Sequence, residues 1–505
     1  MSQSPQQTPS RQRALIVVGI ALAVVAGAIL VLVLVLPDSS PQSASPRPSA
    51  SASASPSTSP RPPTGDLATR MQEVVTLEGV MQHLEAFQRI AENNGGNRSA
   101  ATPGYEKSAA YVARALRNAG YRVRFDPFEV TVYEANAPSV LQRRAPSRTS
   151  YENSTDFTTF NYSPSGSVTA RVTPVAVTRD FEGLGGCPET AFAGFPSGDI
   201  ALVQAGPCTL TEQVLNAENA GASAALLMFT PQLVDTSAGV PRATLANSGI
   251  GVPAVAISTD LGSKLARPGT RVHLEVDGDI AERTTRNVIA EKSRQANEVV
   301  MVGAHLDSVV DGPGINDNGS GSASILELAL ALADEETREG VRFAFWGAEE
   351  LGLVGSTHYV SELSDAERNR ITAYLNFDMV ASPNYMRLVY GNNPDPVANP
   401  SAIKNLFLDY FAKRDLATDI INLSGRSDHG PFERAGIPVG GLFTGAEMTK
   451  SRAQARLFGG KGGRPADPCY HLVCDDIDNI NEESLDQLSD AIAFAVATLA
   501  TSAKL

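Results

Sequence analysis

His305, Asp307, Asp317, the adjacent pair Glu349 and Glu350, Asp378 and His471 follow one another through the C-terminal part of a 505-residue chain. Five carboxylates and two imidazoles offer enough oxygen and nitrogen donors to hold two neighbouring divalent metals and leave one carboxylate as a base. Each residue alone has an ordinary explanation. Paired glutamates mark solvated helix starts, and an aspartate among Gly, Asn and Ser is a common helix N-cap. Together they read as a co-catalytic metal hydrolase.

The elements around these residues must bring them together. Apolar runs predict strands over 298–304, 341–346, 372–377, 386–390 and 439–443, alternating with helices over 322–335, 402–413 and 484–501. That alternation implies an α/β fold: a mainly parallel mixed sheet sandwiched by helices. Functional groups in such sheets gather at the carboxyl ends of the strands, where three of the clusters fall. His305 and Asp307 are two apart, so on an extended chain they share a face, and Asp307 is expected to accept the ring N–H of a metal-bound His305. Asp317 lies in the glycine-rich turn Gly312–Gly321, and its two oxygens suit a bridge between two cations. Glu349 and Glu350 follow the buried-type strand ending in Trp346 and point in different directions. One can ligate while the other, desolvated among carboxylates, acts as a base with a raised pKa. His471 sits between Cys469 and Cys474, where a disulfide would hold its ring. Among the other histidines, His83 and His273 read as structural and His358 as a helix residue apart from the clusters. His429 reads either as a turn residue or as part of a substrate pocket.

The remaining sequence sets the context. A hydrophobic fraction of 42%, a charged fraction of 19% and a formal charge of -14 describe a globular protein without the basic footprint of a nucleic-acid binder. Four cysteines fall into two local pairs, Cys187 with Cys208 and Cys469 with Cys474, as expected of disulfides outside the cytoplasm. Residues 14–36 carry no charge and are long enough to cross a hydrocarbon core of ~30 Å. Arg11 and Arg13 before them place residues 1–13 in the cytoplasm and the rest outside. The expectation is a single-pass signal anchor; secretion after cleavage is the alternative. Residues 37–65 form a Ser/Pro-rich stalk. Helices are predicted over 76–92 and 104–119, followed by a strand at 121–125. Residues 131–285, with short strands at 172–177, 200–204, 224–229 and 254–257 and a helix at 211–221, read as a smaller α/β module. It is inserted between two parts of the main domain, 66–130 and 286–505.

The stretches GAHLDS (303–308), GINDNGSGSA (314–323), WGAEELGL (346–353), YLNFDM (374–379), GRSDHGPF (425–432), GGLFTGAE (440–447) and CYHLVCD (469–475) resemble the M28 zinc aminopeptidase family, the secreted bacterial leucine-type enzymes most closely. The middle segment is similar to a protease-associated (PA) domain, through Gly198–Val203, Asn216-Ala217 with Ala220-Gly221-Ala222, and Ile250–Val255. The resemblance implies a zinc exopeptidase fold and two Zn2+ ions. One would be held by His305, Asp317 and Asp378, the other by Asp317, Glu350 and His471. It further implies Glu349 as general base and Tyr470 as hydrogen-bond donor to the oxyanion. Arg426, with Glu349 and Asp378, would place the free α-amine of a peptide, and Met379 and Phe443 would line an apolar pocket. Asp486 and Asp490 resemble carboxylates of a calcium site. The rival readings are a carboxypeptidase or glutaminyl cyclase on the same scaffold, or a non-catalytic PA-containing ectodomain. The partners expected are peptides with a free N-terminus, and a monomer is favoured.

Overall fold

The computed structural model describes residues 66–178, 183–230, 240, 243–245, 249–292, 296–391 and 401–502. The anchor and stalk expected over residues 14–65 lie outside them. Among the described residues, no helix is long and apolar enough to cross a membrane.

The chain begins with three helices, α1 (Leu67–Val74), α2 (Leu77–Glu92) and α3 (Pro103–Asn118). Thr76 caps α2 by accepting the Gly79 N–H at 3.1 Å, and Thr102 caps α3, whose first residue Pro103 has no N–H to leave unpaired. Two long antiparallel strands follow in space, β1 (Arg122–Ala145) and β8 (Arg271–Glu291). Between them run β2 (Thr149–Ser150), β3 (Phe157–Thr159), β4 (Gly166–Val175), β5 (Ile200–Gln204), α4 (Leu210–Asn219), β6 (Ala224–Met228), β7 (Ala254–Ile257) and α5 (Thr259–Leu265). After β8 come β9 (Val299–His305), α6 (Gly321–Ala331), β10 (Gly340–Trp346), α7 (Val354–Ser361), α8 (Asp365–Arg370) and β11 (Ile371–Phe377). The chain closes with β12 (Leu388–Tyr390), α9 (Ser401–Ala412), β13 (Asp419–Ile421), α10 (His429–Arg434), β14 (Val439–Phe443), α11 (Arg452–Phe458) and α12 (Glu482–Thr501).

The strands join in the order β13-β12-β14-β11-β9-β10-β8-β4-β5-β6-β7-β3. β14, β11, β9 and β10 are mutually parallel. All seven residues of β9 and of β10 are buried, as expected of central parallel strands covered on both faces. Helices α2, α6 and α12 pack on one face around Leu84, Ile325 and Ile492, while Trp346, Tyr374 and Phe432 fill the other. The inserted module has its own parallel strands, β4 to β7, with separate cores on their two sides.

The strand expected at 121–125 continues to Ala145. Its first part alternates into a small core through Phe128, Val130 and Val132, whereas the exposed stretch 134–138 rests on pairing with β8 rather than on burial. The boundaries drawn at 130/131 and 285/286 therefore fall inside continuous strands, near the register pair Phe128 and Thr285. A two-stranded ribbon, rather than a loose linker, joins the two modules.

Candidate metal centre and active site

Parallel pairing places the ends of β11, β9 and β10 side by side, with Trp346 in register with His305. His305 is the last residue of β9, Asp378 follows β11, and Glu349 and Glu350 follow β10. Asp317 arrives from a distorted helical turn, Ile315–Ser320, in which its own backbone is non-helical. His471 comes from the loop closed by the Cys469–Cys474 disulfide, with a left-handed φ of 60°. The second disulfide, Cys187–Cys208, lies in the inserted module.

Asp317 is the hinge of the cluster. Its Oδ1 is 3.2 Å from Nε2 of His305, and its Oδ2 is 3.2 Å from Nε2 of His471. Asp378 Oδ1 lies 3.3 Å from the same nitrogen of His305, and Glu350 Oε2 lies 3.1 Å from that of His471. Glu349 stands further off, with Oε2 4.0 Å from His305. Ligand atoms of His305, Asp317 and Glu350 lie within 4.8 Å of one another, as do those of His305, Glu349 and Asp378. That wider grouping includes Glu349, but the shorter contacts divide the donors into Asp378–His305–Asp317 and Asp317–His471–Glu350. Oε1 of Glu350 is buried and accepts no hydrogen bond among the described residues. Two imidazoles, three close carboxylates and a spare buried lone pair form a donor set that fits two divalent ions.

The electrostatics have the same origin. Burial opposes charge on His305, yet Glu349, Asp378 and Asp317 outweigh it and raise the imidazole well above its ordinary range. Burial also opposes charge on His471, and Glu350 with Asp317 carries it up to about 11. Burial works against ionisation of Asp317 too, but hydrogen bonds from both imidazoles hold it below the usual carboxylate range. Burial pushes Glu349 well above that range, with His305 opposing and Glu350, Asp428 and Asp378 adding their repulsion. Burial and Asp317 raise Glu350, against His471.

One second-layer expectation is corrected. Nδ1 of His305 is 3.1 Å from the main-chain carbonyl of Asp307 and 3.8 Å from its carboxylate. The carboxylate instead accepts the N–H groups of Glu349 (3.2 Å) and Glu350 (3.4 Å), because the turn after β10 folds back onto it. Asp307 therefore holds the glutamate turn and orients His305 only through its backbone.

A cavity of about 500 Å³ opens over the cluster. Met379, Phe443, Tyr470 and Arg426 line it. The ring of Tyr470 stacks on His471 at 3.8 Å, and Arg426 pairs with Glu447 at 2.8 Å. His429 also lines the cavity, its ring 4.9 Å from Tyr390, while its Nε2 accepts the Gly425 N–H at 3.3 Å, so it both borders the pocket and holds the turn before it. Burial lowers His429 to about 4, so it is neutral. His83, His273 and His358 do not line it. Asp486 and Asp490 lie on α12 and do not line it either; among the described residues no third His, Cys, Asp or Glu joins them at ligand distance.

Several contributors were not singled out from sequence. Ser427 donates to Asp378 Oδ2 at 2.7 Å and accepts from Asn376 at 2.8 Å. The buried Asp475 accepts the N–H groups of Asn316 (2.9 Å) and Asp317 (3.0 Å). Tyr390, Ile421, Glu447 and Met448 complete the cavity wall. Ser427 and Asp475 fall inside the motifs GRSDHGPF and CYHLVCD, but nothing in their spacing tells a supporting hydrogen bond from a turn.

The sequence matches the model of peptidase family M28 over residues 287–496 and that of the PA domain over residues 168–265. It is 44% identical over 435 residues to an aminopeptidase of Pseudomonas aeruginosa, covering 84% of this chain and 81% of that one. It is 40% identical over 409 residues to the probable leucine aminopeptidase 2 of Aspergillus fumigatus, covering 79% and 78%. The solved zinc aminopeptidase from Bacillus subtilis superimposes with a TM-score of 0.67 at 25% identity, covering 85% of this chain and 97% of that one. With its PA domain inserted between β1 and β8, this chain belongs to peptidase family M28, among relatives that are aminopeptidases.

Proposed function

We propose that this chain is a membrane-tethered, extracellular di-zinc aminopeptidase that releases hydrophobic, leucine-type residues from peptide N-termini. The observation that carries this reading is Asp317, which presents one oxygen to each of two imidazoles. Zinc is favoured over other divalent ions by the donor set and by the named metal of the Bacillus subtilis relative. Bound zinc would supply Lewis acidity toward the scissile carbonyl and lower the pKa of attacking water. His305, Asp317 and Asp378 would hold one ion, and Asp317, Glu350 and His471 the other. Glu349 takes the proton from the attacking water and returns it to the leaving amine. The Tyr470 hydroxyl, kept protonated by burial beside Asp317 and Glu350, donates to the developing oxyanion. The carboxylates of Glu349 and Asp378 and the polar edge at Arg426 position the free α-amine. Met379, Tyr390 and Phe443 offer an apolar wall to the first side chain, which supports the leucine-type preference borne in the Aspergillus fumigatus relative's name. A calcium ion at Asp486 and Asp490 is a further element of the proposal.

The test compares leucyl-p-nitroanilide with its N-acetylated form, alongside a peptide beginning with glutamine. Hydrolysis of only the free-amine substrate is expected. Equal turnover of the blocked substrate, or cyclisation of the glutaminyl peptide as the main reaction, would sink the reading.

A further inference from the structure

Arg98 is completely buried, yet among the described residues no carboxylate occupies its guanidinium fork. A buried arginine is costly unless its donors are met, and they are normally met by an acid. Here Nε donates to the carbonyl of Pro313 at 2.9 Å, while the two terminal nitrogens donate to the carbonyls of Leu306 and Gly314. Leu306 lies between His305 and Asp307, and Gly314 lies three residues before Asp317. We propose that Arg98 is a positioning residue for the metal centre, clamping the loop that carries His305 to the loop that carries Asp317. The inference rests on the metal-centre reading given above.

The backbone adds to the clamp. The Arg98 N–H donates to Ser308 Oγ at 2.9 Å, the Ser308 N–H returns to the Arg98 carbonyl at 3.3 Å, and Ser308 Oγ donates to Gly312 O at 3.0 Å. The loops touch closely: a Cβ on Gly314 (φ 63°) would meet both the Asp317 carbonyl and the Ser308 side chain at 2.4 Å. Any slip between them would change the distance from His305 to Asp317. Phe87 supports the guanidinium from one side, 5.1 Å from its ring centre. The nearby charges are Asp307, Asp475 and Asp317, so Arg98 also supplies a fixed positive charge behind a cavity crowded with carboxylates. A lysine keeps the charge, but its three donors sit on one nitrogen and cannot reproduce the planar fork by which Nε and the two terminal nitrogens of Arg98 reach three separate carbonyls. Arg98 precedes the PA insertion, so the N-terminal segment takes part in shaping a site whose close donors all come from residues 305–471.

The test uses the full chain, with zinc affinity measured by chelator competition beside kcat, KM and the melting temperature of the metal-free protein. Arg98→Lys is expected to lose about 10- to 100-fold in zinc affinity, with a fall in kcat and little change in KM. Arg387→Lys is the comparator. Arg387 is also buried, but it donates to Gln487 and the Ala417 carbonyl away from the site. It should lower the melting temperature and leave zinc affinity unchanged. Ser308→Ala loosens the same junction more gently and should shift zinc affinity in the same direction if Arg98→Lys does not fold. Normal zinc affinity and kcat in a folded Arg98→Lys chain, or in Ser308→Ala where that chain does not fold, would overturn the clamp alone. Absence of zinc binding by the unaltered chain would overturn the metal-centre reading and the clamp together.

Discussion

Glu349 and Glu350 are adjacent in sequence but divided by geometry: Glu350 reaches His471 at 3.1 Å, while Glu349 stays 4.0 Å from His305 and faces the cavity. Glu349→Gln should therefore bind zinc normally and lose about 10²- to 10⁴-fold in kcat. Full activity in that variant would remove Glu349 as the base. A second expectation concerns protons. Both imidazoles are raised above their ordinary pKa by the carboxylates around them, so both are charged at neutral pH when no metal is bound. Metal needs neutral imidazole, so zinc binding should release about one proton from each, and affinity should rise with pH. Titration calorimetry in buffers of different ionisation enthalpy checks this, and a buffer-independent heat would refute it. At this scale the sequence reveals chemical type better than partnership. His305 and Asp307 were recognisable, but the ring N–H turned to a carbonyl, because the carboxylate was needed by the Glu349 and Glu350 amides. Arg98 was invisible for a related reason. Its partners are main-chain carbonyls more than 200 residues away, and carbonyls carry no residue code.

Elements with strong periodicity or long apolar runs were legible within a few residues. Expected strands at 341–346 and 439–443 appear as Gly340–Trp346 and Val439–Phe443, and the helix expected at 76–92 as Leu77–Glu92. The helix expected at 322–335 stops at Ala331, β13 was missed because its half-buried residues are held by pairing, and β1 was cut short although Phe128, Val130 and Val132 alternate into a core before the exposed stretch 134–138. The Cys469–Cys474 loop is the element on which Tyr470 and His471 both depend. Its bridge restricts the unfolded loop by about 2 kcal/mol and keeps His471 in a left-handed backbone unusual for a side-chain-bearing residue. Cys469→Ser with Cys474→Ser should cut kcat at least tenfold and weaken zinc binding. Cys187→Ala with Cys208→Ala, in the inserted module, should leave kcat within twofold. Equal effects of the two pairs would deny the loop its special role. On α12, burial and then Asp486 raise the half-buried Asp490 carboxyl to about 6, with Arg414 opposing. An acid raised in the folded state is most at ease below its unfolded pKa and increasingly destabilises the fold as pH climbs through about 6. Asp490→Asn should thus stabilise the chelated protein at pH 7.5, by about 1 kcal/mol after solvent screening, and not at pH 4. Calcium bound by the Asp486–Asp490 pair would reverse that sign, so melting curves with calcium and with chelator distinguish the two states.

For the whole molecule, charge and topology bear on where the enzyme works. Among the described residues no helix is long and apolar enough to cross a membrane, and the proposed tether rests on the uncharged run of residues 14–36. The formal charge of -14 works against adsorption to an anionic membrane surface, which needs clustered Lys and Arg. A tethered chain and an adsorbed one consequently respond differently to extraction. The full chain should sediment with membranes, resist high salt and alkaline washing, and be released by detergent, because an apolar span is held by burial that salt does not weaken. Removing residues 1–36 should make the protein soluble while leaving turnover of leucyl-p-nitroanilide unchanged, since the cavity residues all lie beyond residue 304 and Arg98 stays in the retained part. Protease added to intact cells should degrade the domain if it faces outward. A mature N-terminus beyond residue 37 recovered from the medium would replace the tether with a cleaved export signal. Release from membranes by salt alone would refute the apolar span.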